Sequence, residues 1–353
     1  FDVHYRFFTQ EHNMTNYTII GLGRIGTSLG MAIRGNSDSR VVGYDSDNSA
    51  QAQAKKMGAV DDTEWNIDKA VEDADVVVIA TPAGALHDVF TGISPHLKSG
   101  VVITDTSPAK RAVLEWADEL LPEDSAYIGG NPLTGASIKS QKEASGYIFH
   151  NAKWALVAST EADKEAIRSV TDMVEMVGAN PVFMDAYEHD SFSAATTGLP
   201  AVVSAAVLNA VSTSPSWAEI SRFVGRDFDN ITLPASGDPA SAQSSSAINA
   251  DLLAHWIDQL IERFQNISNA LRDDDERFAT DGVLSESFVQ AWEQRARLEA
   301  GIADRRPDNS DYSPIPSSNE SMMGLFFGSK IAKVMGGGKP TKKDPTKYDR
   351  RKL

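Results

Sequence analysis

The segment Gly21-Leu22-Gly23-Arg24-Ile25-Gly26 constrains this chain more than any other. Alone, G-x-G-x-x-G is a weak pattern. Here it follows an apolar strand, TIIGL (18–22), and opens a helix with Leu29, Ala32 and Ile33 on one face. Asp45 stands 19 residues after Gly26, at the end of a second strand, RVVGYD (40–45). That context predicts a dinucleotide-binding turn. Gly21 permits the tight turn, Gly23 lets backbone approach a pyrophosphate, and Gly26 lets helix pack on strand. The bare helix N-terminus offers N–H donors and a positive dipole end to the phosphates. Asp45 would accept hydrogen bonds from the adenosine ribose and repel a 2′-phosphate, which favours NAD over NADP. Ser46 and Asp47 bring no cation to reverse that preference. The candidate cofactor residues are Gly21, Gly23, Arg24, Ile25, Gly26, Asp45, Thr81 and Pro82.

Strand and helix signals alternate as far as residue 186. Further strands are expected at 76–82, 101–106, 127–132, 154–159 and 180–185, with helices near 48–57, 83–97, 109–121 and 162–177. This alternation predicts an α/β fold with a doubly wound, mostly parallel, Rossmann-type sheet. VVVIATP (76–82) has an apolar run suited to a sheet covered on both faces. From about residue 187 no strand-like run follows, and helices are expected at 188–212, 215–224, 239–273 and 283–303. The predicted organisation is an N-terminal extension (1–13), a dinucleotide-binding domain (14–186), a helical substrate and dimerisation domain (187–304) and a flexible tail (305–353). The stripe Leu252, Leu253, Trp256, Leu260, Ile261 and Phe264 reads as core or dimer contact.

The 353 residues carry a formal net charge of −16, which argues against general nucleic-acid binding. Residues 339–353 run the other way, with a net charge of +5. Next to them, 321–335 is a short apolar segment with two lysines, suited to docking on an unknown partner or an anionic surface, or to packing on its own domain. No cysteine is present, so disulfides, thiolate metal sites and a cysteine nucleophile are excluded, and no metal site is expected. The expectation is a cytoplasmic protein without a signal peptide or transmembrane segment, since no apolar run approaches membrane-spanning length.

The chain resembles the prephenate and arogenate dehydrogenases of tyrosine biosynthesis over about residues 16–300. The resemblance rests on 19–33, VVVIATP (76–82), Asp105-Thr106-Ser107 with Lys110, GGNPLTG (129–135), Trp154–Val157 and Glu188-His189-Asp190. It continues through Gly198-Leu199-Pro200 and Arg226-Asp227 to ASGDP (235–239). It implies an NAD-dependent oxidoreductase and a homodimer formed through the helical domain. The small-molecule substrate is a cyclohexadienyl acid: hydride passes from the hydroxyl-bearing ring carbon to nicotinamide, and carbon dioxide leaves as the ring becomes aromatic. Such chemistry needs a base, a group to orient the hydroxyl, and cations for the carboxylates.

Here the chain departs from the family. The family's GGHP histidine, the base, is replaced by Asn131, and an amide cannot accept a proton at neutral pH. Gly198 and Ala201 flank Leu199-Pro200 where the family brings histidines. The family's substrate arginine falls on Leu233, with Arg226 the nearest cation upstream. Ser107 matches the hydroxyl-orienting serine. The catalytic candidates are therefore Ser107, Asn131 and His189, with Lys110 and Lys139 as further candidates for the lost roles. Two readings stay open: a dehydrogenase with a rearranged site, and an NAD-binding paralogue without the parent activity, regulatory or acting on another substrate. Hydroxyacid dehydrogenases with a lysine base early in the helical domain are disfavoured, because no lysine lies between residues 186 and 221.

Overall fold

The computed structural model describes residues 14–134, 141–159 and 162–302. The readings for the N-terminal extension, Lys139 and the tail fall outside these residues.

Eight strands form one sheet in the order β3-β2-β1-β4-β5-β6-β7-β8. They are β1 (Asn16–Ile20), β2 (Arg40–Tyr44), β3 (Asp62–Thr63), β4 (Val76–Ile79), β5 (Val102–Asp105), β6 (Ala126–Pro132), β7 (Lys153–Ala158) and β8 (Asn180–Phe183). All neighbouring pairs are parallel except β6 and β7, which run antiparallel with Asn131 opposite Ala155. The helices within this part are α1 (Arg24–Asn36), α2 (Asn48–Lys56), α3 (Ile67–Val71), α4 (Leu86–Ile93), α5 (Arg111–Leu120) and α6 (Lys164–Met176). Beyond β8 come α7 (Ala186–Ser193), α8 (Leu199–Ser212), α9 (Trp217–Ile220), α10 (Arg226–Thr232), α11 (Pro239–Ile248), α12 (Ala250–Arg272) and α13 (Val283–Glu299).

Period-two alternation divides the core between the two sheet faces. Ile19, Val76 and Val78 face one apolar cluster with Leu29 and Ile33 of α1 and Val170, Met173 and Val174 of α6. Ile20, Val77 and Ile79 face the other, with Leu86, Phe90 and Ile93 of α4 and Val113 of α5. All four β4 side chains are essentially inaccessible. At roughly 1.5–3 kcal/mol per fully buried aliphatic side chain, such central strands hold the two layers together. The strand order reverses between β1 and β4, which opens a crevice at their carboxyl ends, where Gly21 and Thr81 lie.

By internal contacts the chain divides into Phe1–Arg263 and Phe264–Leu353, so the helices from 186 to 263 group with the sheet. The change from mixed to all-helical structure does fall near 186, but the compact units do not divide there. Several expected helices are also interrupted. The 188–212 stretch contains a π-turn, Ala194–Gly198, between α7 and α8. The 239–273 stretch breaks at Asn249 between α11 and α12. β3, α3 and α10 were not anticipated; each has at most seven residues, too few to show a period.

The continuous helical stretch Ala186–Ser212 has 27 residues, and an 18-residue window within it has a mean hydropathy of 1.5, long and apolar enough by length and composition to cross a bilayer. This corrects the expectation that no stretch reaches that length. Small residues and the interruption by Ser, Thr and Gly hid it from a search for an unbroken apolar run. Its N-terminal turns are nevertheless fixed in the sheet-bearing unit, where His189 and Asp190 are buried and hydrogen bonded.

Gly30 of α1 lets that helix lie close to the α2–β3 connection: a Cβ there would stand 2.2 Å from the Ala59 carbonyl oxygen. Gly30→Ala is expected to cost roughly 1–3 kcal/mol by overpacking, less about 1 kcal/mol regained in helix propensity. A urea midpoint at or above that of the unaltered protein would show that this close approach is not made.

Candidate active site

The glycine turn is shaped by close contacts. Gly21 has φ +94°, and a Cβ on it would lie 2.7 Å from the backbone of Ala80. A Cβ on Gly26 would lie 1.9 Å from the Gly21 carbonyl oxygen. Around Gly23 there is instead open space for 4 Å, on the face where a pyrophosphate would approach. The N-terminus of α1 has no side-chain cap, so its first amides remain available. The Asp45 carboxylate is fixed from behind, accepting from Leu22 N–H at 2.7 Å and Asp47 N–H at 2.8 Å. Gln141 clamps the turn: its side-chain amide donates to the carbonyls of Leu22 and Ala50 at 2.7 and 2.8 Å. Two polar groups at the crevice are buried without a hydrogen-bond partner, Arg24 through Nε and Nη2 and Thr81 through Oγ1. Burial lowers the Arg24 pKa from its ordinary value, against an opposing pull from Glu143.

A second cluster forms where β5 ends. Asp105 and Lys110 have fully buried side chains, and Lys110 Nζ reaches Asp105 Oδ2 at 2.6 Å and Oδ1 at 2.8 Å. Asp105 also accepts from Tyr127 Oη, Gly130 N–H and Ser107 N–H at 2.8–2.9 Å. A buried carboxylate survives only with this kind of complete pairing. Burial, then the charge of Asp105, raises the Tyr127 phenol well above its usual pKa, so it stays a donor. The paired glycines of β6 make room for the cluster. A Cβ on Gly129 would stand 2.7 Å from Lys110 Cδ, and one on Gly130 would stand 2.5 Å from the Asp105 carbonyl oxygen. Ser107 Oγ donates to the Ala109 carbonyl at 2.9 Å and lies 3.1 Å from Lys110 Nζ.

A third cluster links β6 to the helices. Asn131 Nδ2 lies 3.0 Å from His189 Nε2, and His189 Nδ1 lies 2.8 Å from Asp190 Oδ1. In this pairing the imidazole proton sits on Nδ1 and Nε2 accepts from the amide. Asp190 also accepts from the backbone N–H groups of Lys110 and Arg111 and from Arg111 Nε. Burial opposes its ionisation, yet the bonds from His189 and the two amides together hold its carboxyl below the ordinary range. Arg111 continues as a fork onto Asp251, at 2.9 and 3.1 Å, and touches Asn249 Oδ1 at 3.2 Å. Asn249, at the break between α11 and α12, donates to the Asp190 carbonyl at 2.8 Å.

A cavity of about 950 Å³ joins these parts. Its wall includes Gly21, Gly23, Arg24, Ile25, Asp45, Thr81 and Pro82, so these candidate cofactor residues share one space; Gly26 sits beneath, as a packing residue. Ser107 lines the same cavity, as do Gly198 and Ala201 beside the π-turn. Asn131 and His189 are brought together but lie buried off the cavity wall. Leu233 and Arg226 are not on the wall either. Among the described lining residues, Arg24 is the one Lys, Arg or His. Asp190, Arg111, Asn249, Tyr127 and Gln141 were not singled out for these contacts. Their partners are distant in sequence, and only Glu188-His189-Asp190 gave a signal.

Residues 29–183 match the family model described as prephenate dehydrogenase, nucleotide-binding domain, and residues 185–282 match prephenate dehydrogenase, dimerization domain. A prephenate dehydrogenase of Bacillus subtilis is 29% identical over 252 residues, covering 70% of this chain and 65% of that protein. The chain thus spans just under two thirds of the length of that relative. A cyclohexadienyl dehydrogenase of Zymomonas mobilis is 28% identical over 283 residues, 79% of this chain and 94% of that one. The fold is similar to the crystal structure of prephenate dehydrogenase from A. aeolicus in complex with hydroxyphenyl propionate and NAD+. The TM-score is 0.72 at 20% identity, covering 82% of this chain and 100% of that one.

Asp190→Asn is expected to destabilise the protein by about 3–5 kcal/mol at neutral pH, the scale of breaking a buried ion pair. Because the folded-state pKa is depressed, Asp190's contribution is fully present above the unfolded carboxyl pKa of about 4 and is lost as pH falls through the lower folded value. Urea titrations at several pH values should therefore show the difference from the unaltered protein narrowing in acid. A difference independent of pH would refute the role given to the carboxylate.

Proposed function

Since the chain belongs to the prephenate dehydrogenase family, we propose that it uses NAD to oxidise a cyclohexadienyl acid, with loss of carbon dioxide as the ring becomes aromatic. The observation that carries this reading is the shared cavity, with the glycine turn and Asp45 at one part of its wall and Ser107 at another. The residues present fit the dinucleotide. A Cβ at Gly21 or Gly26 would collide with the backbone that shapes the turn, the space beside Gly23 is open, and the unpartnered Arg24 and Thr81 groups suit phosphate and amide oxygens. Bound there, NAD supplies the hydride acceptor. The chain supplies orientation: Asp45 holds the ribose, the α1 amides and Arg24 hold the pyrophosphate, and Ser107 meets the substrate hydroxyl. The dimerisation part of the family assignment supports a homodimer.

A second reading is favoured by two observations. Asn131 stands where the resemblance places a base, and the described cavity wall offers a dicarboxylate only Arg24, at the glycine turn. An NAD-binding paralogue, or an enzyme for a less anionic substrate, would look like this.

Absorbance of reduced nicotinamide, with purified protein, NAD and either prephenate or arogenate, distinguishes the readings. The dehydrogenase reading expects a rise above the enzyme-free control; no rise, with NAD binding intact by calorimetry, supports the paralogue. Asn131→His is expected to raise the rate if residue 131 merely lacks a base, by up to the roughly 10²–10⁴-fold worth of one. A fall would mean that the amide serves the existing site. Asp45→Ala should weaken NAD binding and reduce discrimination against NADP; unchanged affinities for both would remove Asp45 from the cofactor site.

A further inference from the structure

A hydroxyl proton must leave the substrate, and neither residue 131 nor His189 is placed to take it. Asn131 has no basicity, and His189 lies behind it, away from the cavity wall. Ser107 is on that wall, and its Oγ is 3.1 Å from Lys110 Nζ. We propose that the proton path of this site runs through Ser107 to the Lys110 amine, which substitutes for the base absent at residue 131. The inference rests on the dehydrogenase reading and adds the group that moves the proton.

The step balances. The substrate O–H bond breaks toward Ser107 Oγ while the Ser107 hydroxyl, turned from the Ala109 carbonyl toward Lys110 Nζ, passes its proton to the neutral amine. The C–H electron pair leaves as hydride to the nicotinamide and the ring carbonyl forms. The C–C bond to the carboxylate then breaks, carbon dioxide departs, and the electron pair completes the aromatic ring with the former carbonyl oxygen as phenolate. The proton returns from Lys110 through Ser107 to that oxygen, so the protein gains and loses none over a turnover.

The surroundings of Lys110 suit this traffic. Complete burial favours the neutral amine and lowers its pKa, against the opposing pull of Asp105 and then Asp190. Asp105, on β5, faces the amine directly and would stabilise the ammonium formed in the step. Tyr127, on β6, remains a phenol and donates to Asp105. Asp190, on α7, is already engaged by His189, Arg111 and the Lys110 amide nitrogen. Lys110 acts through Ser107 and is a positioning and proton-holding residue; Ser107 is the group that would touch the substrate.

The test is a kinetic pH profile of the full-length protein with prephenate or arogenate, paired with NAD calorimetry. The unaltered protein should show an acid limb. Ser107→Ala should lower kcat by about 10²–10⁴-fold, flatten that limb and leave NAD affinity unchanged. Lys110→Met should do the same if it folds. In protein labelled with ¹⁵N-lysine, the Lys110 ε-nitrogen, assigned by its loss in that variant or by its hydrogen bond to Asp105, should convert to amine over the range of the limb. Full kcat and an unchanged profile in Ser107→Ala, or an ammonium that persists across the active range, would overturn the relay alone. An unaltered protein that binds NAD yet oxidises neither substrate would overturn the dehydrogenase reading and the relay together.

Discussion

The end of the sheet where β5 meets α5 is arranged around a carboxylate and an amine that water cannot reach. Asp105 and Lys110 are both inaccessible, and either alone would cost several kcal/mol to bury. The structure offsets that cost with donors from two segments: the Ser107 amide in the turn after β5, and the Gly130 amide and Tyr127 hydroxyl of β6. Each donor requires a particular position of the chain. The β5–α5 turn, the two glycines of β6 and the packing of Tyr127 therefore follow from a single electrostatic requirement. The turn that meets it also presents Ser107 to the cavity.

A second carboxylate carries that order outward. Asp190 gathers the first amides of the segment entering α5, the imidazole of His189 and the Arg111 guanidinium, and Arg111 passes the connection to Asn249 and Asp251. The sheet edge, α7 and the α11–α12 break are thus joined by hydrogen bonds to charged groups, which are stronger than neutral ones. This explains how a helical stretch with a strongly apolar composition stays registered to the sheet at its beginning while its later turns remain largely open. The apolar surface and the polar anchor belong to consecutive turns of one stretch, so whatever covers the first bears on the second.

Much of the nucleotide half was legible because its signals are local. Gly21, Gly26 and Asp45 lie within 25 residues, and each has a role that follows from turn geometry or charge. The strands of the central sheet were legible for a similar reason, as apolar runs bounded by turn residues. The polar clusters were not, because hydrogen bonds such as Arg111 to Asp251 or Asn131 to His189 join positions 58 to 140 residues apart. The break at Asn249 was invisible because its neighbours keep a helical period on both sides. Its cause is the side chain's engagement with Asp190 and Arg111. Lys110 could be named as a candidate for a lost role, but nothing in the sequence around it pointed to its burial. Its burial depends on a glycine 19 residues later whose missing side chain nothing in the local sequence relates to it.

That last pairing bears on how such a chain can change by single substitutions. Gly129 and Lys110 interlock: a methyl group at 129 would force the Lys110 side chain to shift, and a side chain at 110 without a donor would leave Asp105 short of two of its hydrogen bonds. A change at either position therefore bears on the other. Residue 131 carries no such interlock. Its amide meets His189 at an ordinary hydrogen-bond distance, and a side chain of another kind there would disturb one contact. A side chain at 131 can therefore change while the amine of Lys110 stays where its contacts with Asp105 and β6 hold it.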